Sequence, residues 1–496
     1  EKTFQDACQR AGLNPYLFEF VNIRDQNTWV HGDNPDAAFE KAKGLVIMGV
    51  AKARLLEPLY DRQLELDKDV LIVGGGVSGM SSALELASQG FKVHLVEREN
   101  ELGGNLKRLH LSPNGVDPQA LIGRIIEGVR EEPLITVHKS SHIEKVEGSF
   151  GQFKTTLRSG SNGTTQYIDV HHGVALLATG AVEYQPAEYG YGKDDRVITQ
   201  LELGERIAKG TSEVSEAKDV VMIQCVGSRD DERPYCSRVC CTKAIHNALE
   251  LKKRSPDARV MVLFRDIRTY GFRERLYREA REKGVLFLRF TPDHPPKVAG
   301  QGDALEVVVR DDVLGEEVKL SPDLLVLSSA MVPPEGAREL AKKFKVPVDA
   351  QGFFMEAHSK LRPVDFASDG LFLAGTAHAP KSFDESIIQA MGAAGRASTV
   401  LSKDAITLPA TIAEVVEENC DGCAFCVDAC PTDALSLIEI GGNGEGAKKM
   451  LAERDPTACK GCGVCQATCP KEGIKVNQFR LDQLTAMVDA LLAGRM

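Results

Sequence analysis

Residues 69–80 read DVLIVGGGVSGM, and this stretch decides the fold. A short apolar run rich in β-branched residues meets a glycine-rich turn, and residues 80–88 continue with a helical pattern. Residues 92–96 are apolar again and predict the next strand. Together they form a βαβ unit, and inside it the spacing G-x-G-x-x-G predicts a dinucleotide-binding turn.

Each glycine of that motif has a physical task. Gly74 permits the turn, Gly76 lets the backbone approach a pyrophosphate, and Gly79 allows close helix–strand packing. The helix N-terminus adds N–H donors and positive dipole. Glu97 ends the second strand, where a carboxylate would take the ribose hydroxyls. Taken alone, the motif leaves open a tight turn without a ligand in any α/β protein.

The cysteines near the C-terminus form a repeat. Each copy reads C-x2-C-x2-C-x3-C-P, the bacterial ferredoxin pattern, and the second copy follows the first by 39 residues. Because the fourth cysteine of each copy serves the other cluster, one [4Fe–4S] cluster is assigned to Cys420, Cys423, Cys426 and Cys469, and the other to Cys459, Cys462, Cys465 and Cys430. The alternative is a pair of zinc knuckles, although neither motif contains histidine.

Small residues lie between the cysteines of both loops at matching positions. They are Gly422, Ala424, Gly461 and Gly463. We expect them to let backbone N–H groups reach the cluster sulfurs and tune the potential.

Three further segments accompany the glycine-rich turn: ELGG at 101–104, ATG at 178–180 and DGLFLAG at 369–375. With them the sequence resembles the two-dinucleotide-binding flavoproteins of the thioredoxin-reductase type. That resemblance implies FAD, bound by Gly74, Gly76, Val77, Ser78, Gly79, Glu97, Arg98, Gly104, Asn105, Ala178, Thr179, Gly180, Gly375, Thr376, Ser386 and Ile387. The family usually has Asp where Thr376 stands.

A second glycine-rich fingerprint, which such flavoproteins use for NAD(P)H, is missing. The corresponding strand, residues 220–224, runs instead into Cys225, and Cys236, Cys240 and Cys241 follow. No cysteine lies between Cys8 and Cys225, so the redox-active dithiol of disulfide reductases is absent as well. The spacing of the four cysteines leaves three options open: an iron–sulfur cluster, a zinc ion or buried free thiols.

The segments QCVGSR at 224–229, PYCSRVCC at 234–241 and RDIRTYG at 265–271 resemble the A subunit of heterodisulfide reductases. The likeness extends to AGLNPYLFE at 11–19 and FRLDQL at 479–484. In that family the middle four cysteines bind a [4Fe–4S] cluster near the flavin. The resemblance therefore implies three clusters and one FAD. Residues 106–118 lack the cysteines of the additional ferredoxin module that some members carry.

Composition limits the remaining options. The net charge of −11 argues against nucleic acid, because phosphate binding needs a basic footprint. No apolar run approaches the roughly 18 residues of a membrane span. The chain has 13 cysteines, twelve of them in three tight groups, and no secretory signal opens it, which predicts a cytoplasmic metal or redox protein.

The predicted architecture is an α/β two-dinucleotide-binding scaffold with a C-terminal 2[4Fe–4S] ferredoxin domain. Its segments are predicted at 1–65 (the remnant of an N-terminal domain and a linker), 66–185 (the first half of the FAD-binding domain), 186–335 (second α/β domain with the middle cluster), 336–405 (the second half of the FAD-binding domain), 406–477 (ferredoxin domain) and 478–496 (C-terminal helix).

Four single residues carry weaker predictions. Lys381 follows the Ala-Gly strand and is a candidate to reach the flavin, the alternative being a solvated loop lysine. Glu202 is a second candidate for the same neighbourhood, the alternative being a surface helix glutamate. Cys8 is predicted to be a buried core thiol, the alternative being a ligand, and Trp29 is predicted to lie in the core.

The resemblance implies an oxidoreductase acting on sulfur groups, within a complex whose flavin bifurcates electrons between ferredoxin and a disulfide. Implied partners are B- and C-like subunits, ferredoxin, a hydrogenase, formate dehydrogenase or NAD(P)H-oxidising donor, and a second copy of the chain. Two alternatives remain open: an autonomous NAD(P)H–ferredoxin oxidoreductase and a non-catalytic wiring subunit.

Overall fold

The computed structural model describes residues 2–161, 164–301, 304–311, 315–440 and 449–493. The chain forms two compact units. The larger spans Leu66–Lys403, and the smaller joins Glu1–Glu65 to Asp404–Met496. Residues 441–446, a glycine-rich stretch between the two ferredoxin motifs, lie outside the described residues.

The helices are α1 Lys2–Arg10, α2 Pro35–Ala53, α3 Val77–Ser88, α4 Pro118–Glu131, α5 Gln200–Lys209, α6 Ser212–Glu216, α7 Cys240–Arg254, α8 Glu274–Glu282, α9 Ala337–Phe344, α10 Phe383–Leu401, α11 Phe425–Asp428, α12 Val464–Thr468 and α13 Leu481–Ala493. Within the ranges described, none of them is long and apolar enough to cross a membrane.

The strands are β1 Arg62–Glu65, β2 Val70–Val73, β3 Val93–Val96, β4 Ile135–His138, β5 Ser141–Ser149, β6 Gln152–Ser161, β7 Thr164–His172, β8 Val174–Leu177, β9 Val182–Glu183, β10 Val197–Thr199, β11 Asp219–Val226, β12 Arg259–Phe264, β13 Leu286–Arg289, β14 Lys297–Gln301, β15 Ala304–Asp311, β16 Glu316–Leu320, β17 Leu324–Ser329, β18 Met331–Val332, β19 Leu371–Leu373, β20 Ala405–Leu408, β21 Ala413–Val415, β22 Leu435–Ile440, β23 Lys449–Arg454 and β24 Ile474–Val476.

Two parallel sheets of the same design make up the larger unit. The first has the order β19-β8-β2-β3-β4 and the second β10-β17-β11-β12-β13. Each is accompanied by a three-stranded antiparallel sheet, β5-β6-β7 in one case and β14-β15-β16 in the other. We call the first half the flavin lobe and the second the middle-cluster lobe, after the cofactors that the sequence predicts for them. The duplicated design confirms the predicted two-dinucleotide-binding scaffold.

The first strand of the flavin lobe is buried on both faces. Val70 and Ile72 pack with Met80 of α3, while Leu71 and Val73 face a second core that includes residues of β5 and β6. A parallel strand covered on both sides needs an unbroken apolar run, which explains why residues 70–73 do not alternate with polar ones.

The smaller unit combines both ends of the chain. Strand β1 pairs antiparallel with β20, and α13 packs on α2, where the Gln483 side chain donates to the Leu55 carbonyl at 2.9 Å. The sequence predicted residues 1–65 as a separate remnant, whereas the structure groups them with the ferredoxin module. The prediction that Trp29 lies in the core is wrong, since 71% of it is exposed. Cys8 is half-buried on α1.

Gly79 is where the βαβ unit is packed most tightly. A Cβ at this position would lie 1.9 Å from the Gly74 carbonyl oxygen and 3.3 Å from Ile72 Cγ2. Gly123, in α4, has nothing within 4 Å of the same point.

We expect Gly79→Ala to destabilise the larger unit by roughly 1–3 kcal/mol, because backbone cannot yield as a flexible side chain can. Gly123→Ala is the matched control and should stabilise by roughly 0.5–1 kcal/mol. The measurement is the free energy of unfolding in urea for both variants. Equal effects of the two would contradict the steric argument.

Candidate flavin and cluster sites

The predicted FAD residues converge on the N-terminus of α3. Gly74 adopts φ +114°, and a Cβ there would meet the Ala178 carbonyl oxygen at 2.3 Å. Ser78 Oγ would stand 2.3 Å from a Cβ at Gly375, and Gly180 lies beside Thr376. The turn, the ATG segment and the late Ala-Gly strand, which are distant in sequence, therefore meet at one point.

The residues after the second strand close the same site from another side. Gly103 and Gly76 form an isolated parallel β-bridge. A Cβ at Gly104 would come within 3.1 Å of Gly76 Cα. The Asn105 side chain donates to the Ala181 carbonyl at 2.6 Å. Arg98 is exposed and pairs with Glu99, 3.4 Å away, so it lies at the edge of this group. Ser386 is buried and Ile387 half-buried in the first turn of α10.

Three observations fit a dinucleotide at this point. Space in front of Gly76 is open, since a Cβ there would meet nothing within 4 Å. The Thr179 hydroxyl is buried and has no hydrogen-bond partner. Glu97 is buried and accepts from the N–H groups of Gly75 at 2.7 Å and Glu99 at 2.9 Å, which holds its carboxylate beside the turn. The residues present therefore fit the pyrophosphate and ribose of FAD.

Lys381 is buried, so the alternative of a solvated loop lysine is wrong. Its ammonium group donates to the carbonyls of Gly375 at 2.6 Å and Ala379 at 2.8 Å. Burial, followed by the nearby Arg238 guanidinium, lowers the pKa of Lys381 to about 8. The side chain therefore stays within the Ala-Gly segment that the resemblance assigns to the flavin.

Glu202 has a structural task, which the spacing of Thr199 and Glu202 matches. It forms the capping box of α5: its carboxylate accepts from the Thr199 N–H at 2.7 Å, while the Glu202 N–H donates to Thr199 Oγ1 at 3.3 Å. The Tyr191 hydroxyl also donates to it at 3.0 Å. Its proposed proximity to the flavin stays a prediction.

The first ferredoxin hollow is lined by the cysteines predicted for one cluster. Its volume is about 340 Å³, and Cys420, Cys423, Cys426 and Cys469 all border it. Burial raises the pKa of Cys426, and the neighbouring thiols of Cys420, Cys469 and Cys423 contribute to the rise. The fourth cysteine of the second motif is thus grouped with three cysteines of the first.

The second hollow has a volume of about 320 Å³ and is lined by Cys430, Cys459, Cys462 and Cys465. Burial raises the pKa of Cys465 to about 11, with contributions from Cys459 and Cys462. Both groups follow the exchanged arrangement predicted from the repeat. The zinc alternative requires ligands that converge on one ion, with Zn–S distances of about 2.3 Å. Within the described residues, no three His, Cys, Asp or Glu side chains are placed in that way.

Backbone geometry repeats between the two ferredoxin loops. Gly422 and Gly461 have φ of +76° and +63°, while Ala424 and Gly463 have +68° and +81°. In the described part of the module, the N–H groups that donate to ligand sulfurs belong to Ala434, Gly473 and Ala413, which reach Cys430 at 3.2 Å, Cys469 at 3.2 Å and Cys459 at 3.4 Å. The small loop residues therefore supply left-handed turns at matching positions of the two motifs, and their contact with cluster sulfurs stays a prediction.

The middle four cysteines lie at the strand–turn–helix junction of the middle-cluster lobe. Cys225 is the last residue but one of β11, and Cys240 and Cys241 begin α7. A hydrogen bond with Cys241, followed by burial, raises the pKa of Cys240, and the thiols of Cys225 and Cys236 are close enough to raise it further. The four thiols therefore surround the N-terminus of α7, whose dipole favours negative charge.

Arginines border this group. Arg229 Nη1 lies 3.8 Å from Cys225 Sγ and forms an ion pair with Asp266, which also binds Arg268 at 3.0 Å. Cys225, Arg229 and Arg238 have φ of +65°, +59° and +60°, a left-handed region that costs L-residues on the order of 1–2 kcal/mol each. Residues with such strained backbone conformations cluster at functional sites, where the surrounding structure holds them in place.

Three residues of the middle-cluster lobe form hydrogen bonds and ring contacts at the start of α10 in the flavin lobe. We call Arg238, Tyr270 and Arg273 the clasp. Arg238 donates to the Pro380 carbonyl at 3.1 Å and to Glu385 at 2.9 Å, and Arg273 donates to Ser382 Oγ at 3.0 Å. Sequence reasoning assigned the clasp no role, although the position of Arg238 between two predicted ligands was a signal.

Two family comparisons match sections of the chain. Residues 419–472 match the family described as a 4Fe-4S dicluster domain. Residues 72–123 match the family described as an NAD(P)-binding Rossmann-like domain. These matches coincide with the two ferredoxin hollows and with the turn at α3.

Curated relatives match nearly the whole chain. One is the A subunit of the H(2):CoB-CoM heterodisulfide,ferredoxin reductase of Methanothermobacter marburgensis, 34% identical over 529 residues that cover 88% of this chain and 80% of the relative. Another is the iron-sulfur A subunit of the CoB–CoM heterodisulfide reductase of Methanocaldococcus jannaschii, 32% identical over 583 residues, or 99% and 87% of the two chains.

Among solved structures, a thioredoxin reductase of T. acidophilum is similar over 68% of this chain and all of its own, with a TM-score of 0.47 and 16% identity. A thioredoxin reductase of Lactococcus lactis matches at the same TM-score and identity.

Gly76→Ala should remove FAD without unfolding the protein. Gly76 has φ −78°, which alanine tolerates, and the added methyl meets no protein atom but fills the space for the pyrophosphate. We expect at least a tenfold loss of bound FAD per chain, roughly 1.4 kcal/mol or more by the usual conversion, with iron content unchanged. FAD and iron are measured on the purified chain, with Gly123→Ala as the control. Full FAD occupancy in Gly76→Ala would place the flavin elsewhere.

The exchanged ligand sets are tested by paired alanine variants. Cys420→Ala with Cys469→Ala removes ligands from one hollow, so about four irons should be lost. Cys430→Ala with Cys469→Ala removes one ligand from each hollow, so about eight should be lost. Iron and sulfide are counted after anaerobic purification, with Cys8→Ala as the control. A loss of about eight irons in both variants would mean that each motif holds its own cluster.

Proposed function

Since the chain belongs to the family of heterodisulfide reductase A subunits, and is therefore an oxidoreductase that acts on sulfur groups within a multi-subunit complex, we propose that it is the electron-distributing subunit of such a complex. It combines one FAD with three [4Fe–4S] clusters. The flavin is the hub between an electron donor, ferredoxin and a disulfide-reducing partner.

One observation carries the proposal. The middle cysteines lie at a strand–turn–helix junction of their own lobe, and the equivalent junction of the flavin lobe is the predicted nucleotide site. Strand β11 is the central strand of its sheet, as β2 is of the other sheet, and Cys225, Cys240 and Cys241 stand where the glycine-rich turn stands in the flavin lobe. Ligands of open α/β sheets bind at this switch point. A lobe with thiols there is suited to a cluster rather than to NAD(P)H.

The cofactors divide the chemistry. FAD exchanges two electrons, whereas each cluster exchanges one, so their combination splits electron pairs into single electrons. The role of the protein is to hold the flavin at α3, the middle cluster at α7 and the other two clusters in the ferredoxin module. We assign the middle cluster to Cys225, Cys236, Cys240 and Cys241. Bifurcation at the flavin belongs to the proposal and follows from the family.

The partners follow from what the relatives are called. Their names describe hydrogen- or formate-linked and ferredoxin-linked CoB–CoM heterodisulfide reductases. We propose B- and C-like subunits as the site of disulfide chemistry, ferredoxin as a one-electron partner, and a hydrogenase, a formate dehydrogenase or an NAD(P)H-oxidising protein as the donor. A homodimer within the complex and a cytoplasmic location belong to the same proposal.

Anaerobically purified chain should contain about twelve irons and one FAD. Reduced ferredoxin should bleach its flavin, whereas NADH or NADPH without partner subunits should not, because the middle-cluster lobe has cysteines in place of a nucleotide turn. Cofactor analysis and anaerobic stopped-flow absorbance give both results.

The matched variant is Cys236→Ala, which should lose about four irons and keep FAD. Rapid bleaching by NADH alone would favour an autonomous NAD(P)H–ferredoxin oxidoreductase. Clusters without FAD would favour a wiring subunit, and zinc in place of iron would overturn the proposal.

A further inference from the structure

Arg238 contacts both predicted redox sites of the larger unit at once. Its backbone belongs to the loop between Cys236 and Cys240, and its side chain crosses to the flavin lobe. We propose that Arg238 is a positioning residue that fixes the middle cluster relative to the flavin, acting with Tyr270 and Arg273. The inference rests on the proposed function and adds the element that sets the geometry of the internal electron transfer.

On the cluster side, the Arg238 N–H donates to Cys236 Sγ at 3.3 Å. The residue has φ +60°, where glycine would be free of strain. Backbone conformation therefore does not explain an arginine at this position. The reason for it has to lie in the side chain.

On the flavin side, that side chain ends beside Lys381. Its guanidinium donates to the carbonyl of Pro380, the residue before Lys381, at 3.1 Å and to Glu385 at 2.9 Å. Lys381 in turn binds the Gly375 carbonyl at 2.6 Å. A chain of short contacts thus leads from a ligand sulfur to the Ala-Gly segment at the predicted flavin.

The other clasp residues make this more than a single surface ion pair, which would be worth little. The Arg238 and Arg273 guanidinium groups lie 5.2 and 5.0 Å from the centre of the Tyr270 ring. The Tyr270 hydroxyl donates to Glu385 at 3.1 Å, and Arg273 Nη1 donates to that hydroxyl at 2.9 Å. Arg273 also binds Asp384 at 3.2 Å. The planar groups stack on one another and form hydrogen bonds to the first turn of α10.

The step that this geometry serves moves one electron and no atoms. With both groups bound, the flavin would lose one electron and the cluster would gain it, and Arg238 would form no bond to either. Its effect is therefore on the distance and orientation of the two groups, on which the rate of electron transfer depends.

The test uses the full chain with its cofactors bound. Arg238→Gln removes the charge and the forked contact, Arg238→Lys keeps the charge but not the fork, and Arg275→Gln is the matched control, an arginine that lies over the exposed Phe272 ring. We measure iron and FAD content, hydrogen exchange of residues 236–241 and 375–385, the midpoint potential of the middle cluster, and its rate of reduction by the flavin by freeze-quench EPR.

In Arg238→Gln we expect full cofactor content, faster hydrogen exchange in both segments and a transfer rate below that of the wild type. Arg238→Lys should be intermediate, and Arg275→Gln should match the wild type. Exchange and transfer rates in Arg238→Gln equal to those of the wild type would overturn the proposal.

Glu385→Gln tests the same contact from the flavin lobe, away from the cluster ligands. Glutamine preserves the capping box with Ser382 but loses the carboxylate that binds Arg238. It should slow transfer as Arg238→Gln does, and the double variant should be no slower than either single one. If Arg238→Gln loses iron, the Glu385→Gln variant is the deciding test. A transfer rate in Glu385→Gln equal to that of the wild type, with four irons in the middle site, would overturn the inference.

The proposed function can fail separately. If the wild-type chain lacked FAD, or contained only the irons of the ferredoxin module, the proposed function would be wrong. If the wild-type chain contained both cofactors and the variants had its transfer and exchange rates, only the role of Arg238 would be wrong.

Discussion

The larger unit depends on one interaction, the attraction between the N-terminus of a helix and negative charge. A parallel strand, a tight turn and a helix leave unpaired N–H groups and the positive end of a dipole at the carboxyl edge of a sheet. The fold builds this junction twice, at α3 and at α7. At α3 glycines clear space for phosphates, and at α7 four thiols take that place. In the proposed function, the same electrostatics would serve two different anionic cofactors.

What could be predicted from the sequence is what is encoded locally. The β2–α3 turn follows from glycine spacing, and the two hollows of the ferredoxin module follow from a repeat whose left-handed turns fall at the same positions, including Ala424, which is not glycine. The contact between Arg238 and Glu385 could not be predicted from the sequence because the two residues are 147 positions apart. The burial of Lys381 was equally hidden, since its partners are backbone carbonyls that any sequence offers.

Residues 1–65 illustrate the opposite limit. The partner of β1 is β20, more than 300 positions later, and this pairing, together with the packing of α13 on α2, assigns the segment to the ferredoxin unit. The prediction for Trp29 failed because large size favours burial only where a neighbouring surface exists to cover it. Long-range pairing and surface exposure are properties of the whole fold, which one segment cannot encode.

The exposure of the cysteines separates two kinds of cluster site. Cys423 and Cys462 are exposed, one at each ferredoxin hollow, whereas Cys240 and Cys241 are buried at α7. An exposed ligand brings a cluster edge to the surface, where a partner protein can exchange electrons with it. Two of the four middle cysteines are buried, and the clasp connects their loop to the Ala-Gly segment of the same unit. In the proposed function, the exposed ligands of the ferredoxin module would serve exchange with a partner protein, and the middle group would serve transfer to the flavin.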